Sequence, residues 1–404
     1  MDRNQKKKVL FIETGMGFGG SAISLKEIVE NIENYTPFIV FYARKSAYFT
    51  DIFSSVPARY FAMKFTYQQK GTLTDFIVKY TKSTFLTRMF VKIFSIFSFA
   101  EDVITTRRIT KIIKEHNIDL MHINNRIDPI AIKAAIKCNI PCIVHSRGHE
   151  PDPAKKEYIH YMTRLIAPTK KIADHEELSL GVPREKISVL YDTIDVDSFA
   201  ENKNRERIRS SYGIASEDIV IAMFARIIPM KGQLVLTKAI KQLRAQGHNV
   251  TCMFVGDSSD YGKAYLQDIE KYITINNLEN DFVFAGYQND TASYYAAADI
   301  IVHPSIDEEA FGRIIIEAWA AKRPIIASNI GASVELIDHE KTGLLVSKND
   351  SSDLSNAIER LIKDDFLYET LARNSKIKAQ DFRNGHLINE LEAMYENIIN
   401  KIVK

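Results

Sequence analysis

Two glutamates bracket an apolar run in the stretch EEAFGRIIIE, residues 308–317. Glu309 and Glu317 are separated by seven residues, and Phe311 and Gly312 lie between them. The stretch follows DIIVHPS, an apolar run typical of a buried strand, so Phe311 and Gly312 are expected to open a helix. Free amides and the positive dipole end of a helix favour an anion there, and glycine allows it to approach closely.

The spacing of Glu309 and Glu317 suggests that their side chains could point to the same side of the molecule. Eight helical positions would place Glu309 and Glu317 about 80° apart, so that both could face one cleft. A structural reading gives Glu309 a dipole-stabilising role and leaves Glu317 partly exposed on the helix. Neither role explains a carboxylate inside an isoleucine run, where burial demands a partner. Glu308 has no assigned role.

Two cations follow the first strand of the second half, in FARIIPMKGQ, residues 224–233. Arg226 offers a planar fork of donors and Lys231 a point charge, a combination suited to a diphosphate. The alternative is a solvated loop that carries two ordinary surface cations.

A glycine-rich turn, TGMGFGGS at residues 14–21, follows the first strand of the chain. A dinucleotide site would need an acid at the end of the next strand, which instead ends FYARKS. The turn therefore favours a loop at which a phosphate or sugar approaches the backbone of Gly19 and Gly20. The alternative is a tight turn that needs positive φ.

His145 ends the apolar run in PCIVHSRGHE, residues 141–150. A side chain at the end of a strand could face a ligand cleft, although a lone histidine is more often structural. His149 and Glu150 are nearby alternatives that are less well placed.

Strand and helix patterns alternate along the chain and restart after about residue 200. This alternation predicts two doubly wound parallel α/β domains, residues 1–195 and 196–385. The polar segment 201–213 is the expected linker region, and the final helix, within 386–404, could pack back on the first domain. Ligands of such sheets bind at the carboxyl ends of the strands, and most of the candidate residues are expected just after strands. The predicted strands are KKKVLFIET, FIVFYA, IDLMHIN, PCIVHSR, IVIAMFAR, NVTCMFVG, DFVFAGY, DIIVHPS and RPIIASN.

Composition indicates a globular protein. The 404 residues are 46% hydrophobic and 26% charged, with a formal net charge of +2. Residues 1–200 carry a net charge of +7 and residues 201–404 a net charge of −5, which suggests domains with different partners.

No signal peptide or membrane span is apparent, which predicts a cytoplasmic protein. The three cysteines fit small buried side chains in a reducing compartment, and a nucleic-acid partner is not expected.

The motifs of the second half, and their order along the chain, resemble those of glycosyltransferase family 4. This family consists of retaining glycosyltransferases with the GT-B architecture. The motifs include ARIIPMKG, MFVGD, FAGY, AAADIIVHPS, EEAFGRIIIEAWAAKRPIIAS, IGASVELI and KTGLLV. The first half is similar more loosely, through its Gly-Gly loop and His145. The chain departs from the family pattern at Asp192-Thr193, where Asn-Gly is usual, and at Ala332, where glycine is common.

The resemblance implies a GT-B fold, with two Rossmann-like domains facing each other across a cleft, and a role for each candidate residue. Glu309 would accept hydrogen bonds from hydroxyls of the donor sugar, and Glu317 from the nucleotide ribose. The remaining implied contacts are the diphosphate at Arg226, Lys231, Phe311 and Gly312, the phosphate and acceptor side at Gly19 and Gly20, the sugar at His145, and the base at Gly286 and Tyr287. The implied catalytic residues are Glu309 and His145. Such enzymes need no bound metal or other cofactor, because cations and a helix dipole stabilise the leaving diphosphate.

The implied reaction moves a sugar from a nucleotide-diphosphate-sugar to a hydroxyl of a glycan or lipid-linked acceptor, with retained configuration. Two carboxylates could also suggest a glycoside hydrolase. Since Glu317 is assigned to the ribose, no second carboxylate is left as the nucleophile. A GT-B-shaped nucleotide-sugar epimerase and a non-catalytic nucleotide- or glycan-binding protein stay open as alternatives.

Residues 64–99 contain six Lys or Arg against one Asp, together with many phenylalanines. Basic amphipathic segments of this kind can lie on an anionic membrane surface, so peripheral attachment to the inner face of the cell membrane is one interpretation. The other is a pair of helices that pack their apolar residues into the first domain.

Overall fold

The computed structural model describes residues 6–14, 19–42, 53, 58–63, 84–148, 153–200, 204–258 and 262–402, apart from the side chains of 84–98, 153 and 402. The chain divides into two compact units. The first comprises Met1–Leu190 and Ile388–Lys404, and the second comprises Tyr191–Leu387.

The first unit is built on a seven-stranded parallel sheet. In chain order its strands are β1 (Lys7–Glu13), β2 (Tyr35–Phe41), β3 (Arg59–Ala62), β4 (Leu120–Asn125), β5 (Cys142–Ser146), β6 (Arg164–Ala167) and β7 (Ile187–Val189). Their order in the sheet is β3-β2-β1-β4-β5-β6-β7. Consecutive residues Val9 to Ile12 of β1 are fully buried. Both faces of this strand are therefore covered, as parallel sheets require.

The helices of the first unit connect these strands. They are α1 (Gly20–Asn31), α2 (Thr84–His116), α3 (Pro129–Cys138) and α4 (Lys170–His175), which continues as a π-helical turn over Glu176–Leu180. Local sequence fixes the ends of α3. The Asp128 side chain accepts a hydrogen bond from the Ile130 amide at its start, and Asn139 adopts left-handed backbone at its end.

The second unit is built on a six-stranded parallel sheet. Its strands are β8 (Ile219–Phe224), β9 (Val250–Val255), β10 (Phe282–Gly286), β11 (Ile300–His303), β12 (Ile325–Ser328) and β13 (Leu344–Val346). Their order is β10-β9-β8-β11-β12-β13. The prediction of two doubly wound α/β domains is confirmed, although the short strands β3, β6, β7 and β13 were not predicted.

The second unit carries most of the helices described. They are α5 (Val196–Ala200), α6 (Arg205–Ser211), α7 (Gln233–Ala245), α8 (Lys263–Ile275), α9 (Thr291–Ala297), α10 (Arg313–Ala320), α11 (Ala332–Leu336), α12 (Ser351–Lys363) and α13 (Asp365–Lys378). Trp319 of α10 is fully buried, and its indole N–H donates to the Thr342 carbonyl at 2.7 Å. This bond satisfies the one polar atom of a large core side chain.

The last helix, α14 (Asn384–Ile402), lies mostly in the first unit. Glu392 accepts hydrogen bonds from the backbone amides of Glu33 and Asn34 at 2.7 and 2.8 Å. Tyr395 of the same helix is fully buried, and its hydroxyl lies 2.5 Å from His122 Nδ1. Side chains of α14 thus satisfy polar groups of β4 and of the turn after α1.

The prediction of a linker at 201–213 is wrong for the residues described. Arg209 of α6 is 1% exposed, and its Nη2 lies 2.5 Å from Asp299 Oδ2. Arg205 lies 2.6 Å from the other oxygen of the same carboxylate. Because these charges are paired inside the second unit, the segment belongs to that unit, whose first residue is Tyr191.

Among the helices that the structure describes, none has the length and apolar character to cross a membrane.

Candidate active site

Several residues of the candidate site in the second unit lie where parallel strands end. Arg226 follows β8, Gly286 closes β10, and His303 closes β11. The strand order reverses at β8, which has β9 on one side and β11 on the other. In open α/β sheets, a ligand crevice forms outside the carboxyl ends of the strands at such a reversal.

The Glu309 carboxylate is held by three side chains. Lys231 Nζ lies 2.7 Å from Oε2, and His303 Nε2 lies 3.1 Å from Oε1. The Ser305 hydroxyl also donates to Oε1. Burial alone would raise the pKa of this carboxyl, but the charges and hydrogen bonds of His303 and Lys231 hold the pKa well below its usual range. Glu309 is therefore a fixed anion that can accept further hydrogen bonds.

Two glycines allow the loops around Glu309 to approach each other. Gly232 has a φ of +81°, and a Cβ there would lie 2.0 Å from the Pro304 carbonyl oxygen. Gly331 has a φ of +57°, and a Cβ there would lie 3.0 Å from the Glu309 amide nitrogen. A side chain at either position would meet both backbone strain and a steric conflict. The loops that carry Lys231 and Glu309 therefore depend on glycine for their contact.

The two predicted diphosphate cations have different surroundings. Lys231 is bound to Glu309, whereas the Arg226 side chain is exposed. Within the described part of the chain, the Arg226 guanidinium makes no ion pair. The Arg226 carbonyl accepts a hydrogen bond from Gln233 Nε2 at 2.9 Å, which fixes its backbone to the start of α7. Arg226 is thus a positioned cation whose donors face solvent.

Phe311 and Gly312 lie at the start of α10, as the sequence predicts. Gly312 is the N-cap, with φ +78° and ψ +62°, and Arg313 is the first helical residue. Phe311 is buried, with its ring 6.2 Å from that of Tyr191. Glu309 lies in the loop before the helix, four positions ahead of its first residue. Helical geometry therefore does not relate the two glutamates.

Glu317 lies on α10 and has partners of its own. The Tyr295 hydroxyl donates to Oε2 at 2.9 Å, and Arg313 Nε lies 3.4 Å from Oε1. These two contacts explain how a carboxylate is accommodated within an isoleucine-rich helix. The Glu317 side chain stays 13% exposed, which leaves part of it accessible to a ligand.

Gly286 is the last residue of β10, and Tyr287 follows it. Gly286 has a φ of +66°, and its carbonyl accepts a hydrogen bond from the Gly256 amide at 2.8 Å. The Tyr287 hydroxyl donates to Asn289 Oδ1 at 2.8 Å. Both residues lie at the carboxyl end of β10. The assignment of the nucleotide base to them stays a prediction.

His145 lies at the carboxyl end of β5 in the first unit and is 2% exposed. Its Nδ1 lies 3.5 Å from Arg147 Nη2, and its Nε2 has no hydrogen-bond partner within the described ranges. Burial, followed by the charge of Arg147 and the proximity of His122, holds the pKa of His145 well below its usual range. The imidazole is therefore neutral at physiological pH and can donate or accept a single hydrogen bond at Nε2.

A network of hydrogen-bonded polar side chains surrounds His145 at the carboxyl ends of the strands of the first sheet. Arg147 Nε donates to Asn124 Oδ1 at 3.0 Å, and Asn124 Nδ2 donates to Glu13 Oε2 at 2.5 Å. On its other side, the His145 ring lies 5.3 Å from the His122 ring. These contacts connect the ends of β1, β4 and β5.

Gly19 and Gly20 begin α1, with Gly19 as the N-cap. Gly19 has a φ of −174°, an extended conformation that any residue adopts, and a Cβ there would meet no heavy atom within 4 Å. The alternative of a turn that needs positive φ is therefore wrong for Gly19. Residues 15–18 of the same loop, as well as His149 and Glu150, lie outside the described residues.

Sequence reasoning missed four residues that hold the predicted ones. They are His303 and Ser305 beside Glu309, Tyr295 beside Glu317, and Arg147 beside His145. The polar triplet His-Pro-Ser at the end of the apolar strand β11 was a signal that pointed to His303 and Ser305. Tyr295 carries no such signal, because a tyrosine next to Tyr294 in a helix is equally consistent with packing.

Two family models match the chain. "Glycosyl transferases group 1" matches residues 204–378, and "Glycosyltransferase Family 4" matches residues 81–198. Together these ranges cover more than half of the sequence. The chain belongs to the group 1 glycosyltransferases. This membership confirms the family that the second-half motifs indicate, and the two units are the Rossmann-like domains of a GT-B fold.

Curated relatives of this glycosyltransferase include a UDP-Gal:alpha-D-GlcNAc-diphosphoundecaprenol alpha-1,3-galactosyltransferase from Escherichia coli. It is 24% identical over 369 residues, which cover 86% of this chain and 92% of the relative. The Staphylococcus aureus capsular polysaccharide biosynthesis glycosyltransferase CapM is 26% identical over 59% of this chain. The chain spans 62% of the length of that relative.

Among solved structures, Anabaena Alr3699/HepE in complex with UDP-glucose superimposes with a TM-score of 0.78. The match covers 96% of this glycosyltransferase and 99% of the other chain, at 21% identity. At that identity the likeness establishes the fold alone.

Proposed function

We propose that this glycosyltransferase moves a sugar from a UDP-sugar to a hydroxyl of a lipid-linked or polysaccharide acceptor, with retention and without a bound metal. The observation that carries the proposal is the Glu309 carboxylate, which is ionised and held by Lys231, His303 and Ser305 just before the start of α10. The names of the E. coli and S. aureus relatives support the choice of donor and acceptor classes.

The donor diphosphate is assigned to Arg226, Lys231 and the amides of Phe311 and Gly312. Arg226 is an exposed cation, and the start of α10 carries the positive end of the helix dipole. The Lys231 ammonium has three protons, so it can keep its bond to Glu309 while it donates to a phosphate oxygen. These groups supply the positive charge that a metal ion would otherwise provide to the leaving diphosphate.

Hydroxyls of the donor sugar are assigned to Glu309, and the ribose to Glu317. An ionised carboxylate accepts hydrogen bonds only, which suits the hydroxyl groups of both sugars. The base is assigned to the backbone around Gly286 and Tyr287, at the end of β10. Glu309 touches the donor in this scheme and is therefore a catalytic residue.

The acceptor side is assigned to the first unit. His145 has a neutral imidazole whose buried Nε2 is unpaired within the described structure, and this nitrogen is assigned a hydrogen bond to a sugar hydroxyl. Gly19 and Gly20 open α1, where free amides favour a phosphate oxygen or another anion.

Retention is proposed to arise from attack on the same face of the sugar. The bond from the anomeric carbon to the phosphate oxygen breaks, the acceptor oxygen bonds to that carbon, and the acceptor proton moves to the leaving phosphate. This route needs no carboxylate nucleophile, which is consistent with Glu309 being held by the Lys231 ammonium and the His303 imidazole.

The test is release of UDP from a panel of UDP-sugars, first alone and then with undecaprenyl-diphosphate-linked sugars as acceptors. We expect slow hydrolysis alone, fast release with the right acceptor, and unchanged rates in excess EDTA. NMR of the new linkage should show the anomeric configuration of the donor. Conversion of one UDP-sugar into another without transfer would favour an epimerase. An inverted linkage would overturn retention, and loss of activity in EDTA would overturn metal independence.

Peripheral attachment at the inner face of the membrane is part of the same proposal, since a lipid-linked acceptor is presented there. It rests on the basic, phenylalanine-rich segment 64–99. Residues 64–83 lie outside those described, and the backbone of 84–99 forms the start of α2.

A further inference from the structure

Tyr295 places a buried hydroxyl directly on the carboxylate assigned to the ribose. Its oxygen lies 2.9 Å from Glu317 Oε2, and the residue is 0% exposed. The bond joins α9 to α10, so it connects two separate elements of the second unit. A buried phenol that donates to the carboxylate of a partly exposed glutamate is well suited to fix the direction of that carboxylate.

The Tyr295 ring is itself held by other aromatic rings. It stacks on Phe224, the last residue of β8, with ring centroids 3.7 Å apart and an interplanar angle of 4°. The Phe199 ring meets it edge-on at 5.5 Å. Rings packed on two sides leave the phenol little freedom. The end of strand β8 therefore determines where the hydroxyl lies.

The hydroxyl acts only as a donor towards Glu317. Burial, and then the charge of Glu317, raise the pKa of the Tyr295 phenol well above its usual range, so it keeps its proton. An ionised carboxylate has about four acceptor positions, two on each oxygen. Tyr295 takes one on Oε2, while the Arg313 guanidinium lies 3.4 Å from Oε1. One or more acceptor positions stay available on each oxygen.

We infer that Tyr295 is a positioning residue that aims the two Glu317 oxygens at the vicinal 2′ and 3′ hydroxyls of a ribonucleotide. The inference rests on the proposed function, which assigns the ribose to Glu317. It adds the cause of selectivity. The Tyr295 hydroxyl anchors Oε2 through a hydrogen bond while the Arg313 charge lies near Oε1, so Tyr295 fixes the direction in which the carboxylate meets a diol. Nucleotides that lack both hydroxyls should then gain nothing from Tyr295.

Calorimetric titration with UDP and with 2′,3′-dideoxy-UDP tests this. We expect the wild type to bind UDP at least ten-fold more tightly than the dideoxy nucleotide, since hydrogen bonds to charged groups are worth about that much. Tyr295→Phe should weaken UDP binding about three- to ten-fold and leave dideoxy binding within about two-fold. The preference for the ribonucleotide therefore falls.

Tyr294→Phe is the matched control. Tyr294 is the preceding residue in α9, is 7% exposed, and bonds through its hydroxyl to that of Tyr212 at 3.2 Å instead of to Glu317. We expect this variant to keep the wild-type preference. An equal loss of preference in both variants would indicate a general effect of helix packing and would overturn the inference.

A third variant separates this inference from the proposed function. Glu317→Gln should lose the preference for UDP, because one acceptor oxygen becomes a donor. If Glu317→Gln loses the preference while Tyr295→Phe keeps it, the inference is wrong and the ribose assignment stands. If neither variant changes the preference, or if the wild type does not bind UDP, the assignment itself fails.

Discussion

Lys231 and Glu309 form an ion pair of 2.7 Å between loops that follow two adjacent strands, β8 and β11. The carboxylate has partners on both oxygens, because His303 and Ser305 hold the oxygen that Lys231 does not contact. Glu309 therefore cannot turn independently of the cation assigned to the diphosphate. A change at either residue should affect the binding of both the sugar and the phosphate of a donor.

Replacing Lys231 by methionine should lower kcat by roughly 10²- to 10³-fold, the usual effect of removing one donor that stabilises a developing anion. Lys238→Met is the control, because Lys238 lies exposed on α7. Steady-state kinetics with a saturating donor would measure the effect. A Lys231→Met enzyme with wild-type kcat would contradict the role of Lys231 at the leaving diphosphate.

Glu309→Gln should cost about 1–3 kcal/mol of unfolding free energy at pH 7, because it removes the charged acceptor from the donors of Lys231 and His303. The folded pKa of Glu309 is lowered, so its stabilisation is fully present above the unfolded value near 4.5 and is lost as the pH falls through the folded pKa. Urea unfolding at several pH values should show a wild-type advantage that is constant above pH 5 and shrinks below it. An advantage that grows on acidification would contradict the ion pair.

His122 should make the first unit sensitive to acid. Burial, followed by the charge of Arg147, lowers its pKa from 6.5 to about 3. The unfolded chain therefore binds one more proton than the folded chain between these values, and stability falls by about 1.4 kcal/mol per pH unit as the pH drops. His122→Gln should remove the contribution of this one proton from the pH dependence of the unfolding free energy. The exposed His160→Gln serves as the control, and an unchanged slope in His122→Gln would refute the prediction.

Gly232→Ala should be far more harmful than Gly247→Ala. Both residues have positive φ, +81° and +88°, but only at Gly232 would a Cβ lie 2.0 Å from a carbonyl oxygen, that of Pro304. Backbone strain alone should cost about 1 kcal/mol at Gly247. At Gly232 the steric conflict with the Pro304 carbonyl oxygen should more than double the loss of unfolding free energy. It should also displace the neighbouring Lys231. Thermal unfolding and kcat of the two variants give the comparison, and equal losses would contradict it.

The segment 64–99 can be tested for membrane binding without any assumption about its structure. Co-sedimentation with vesicles that contain anionic lipid should retain the wild type at low salt. Charge reversal of Lys79, Lys82, Arg88 and Lys92 should release it, since each basic residue near such a surface contributes about 1 kcal/mol. A wild type that stays in the supernatant at low salt would show that the segment does not bind membranes.

Strand prediction succeeded where apolar runs were continuous and failed where they were short. Val9 to Ile12 and Val220 to Phe224 are buried on both faces, so their sequences are apolar throughout. In contrast, β3 has exposed residues and β7 is only three residues long. Their strand conformation depends on pairing with β2 and β6, which local sequence does not encode.

The linker prediction failed for a related reason. The polar composition of 201–213 suggested a linker, but Arg209 is buried and forms an ion pair with Asp299, in the turn before β11. The partner lies 90 residues away in the sequence. No local window contains both charges, so the burial of the arginine could not be predicted.

The sequence by itself determined the class of fold, the family and the position of most candidate residues in loops that follow strands. Those properties depend on local apolar runs, glycine positions and the order of motifs along the chain. Only the tertiary structure decided which groups hold Glu309 and Glu317. Lys231 reaches Glu309 across adjacent strands, and Tyr295 reaches Glu317 between two helices. Contacts of this kind depend on distances between remote segments, and packing alone sets those distances.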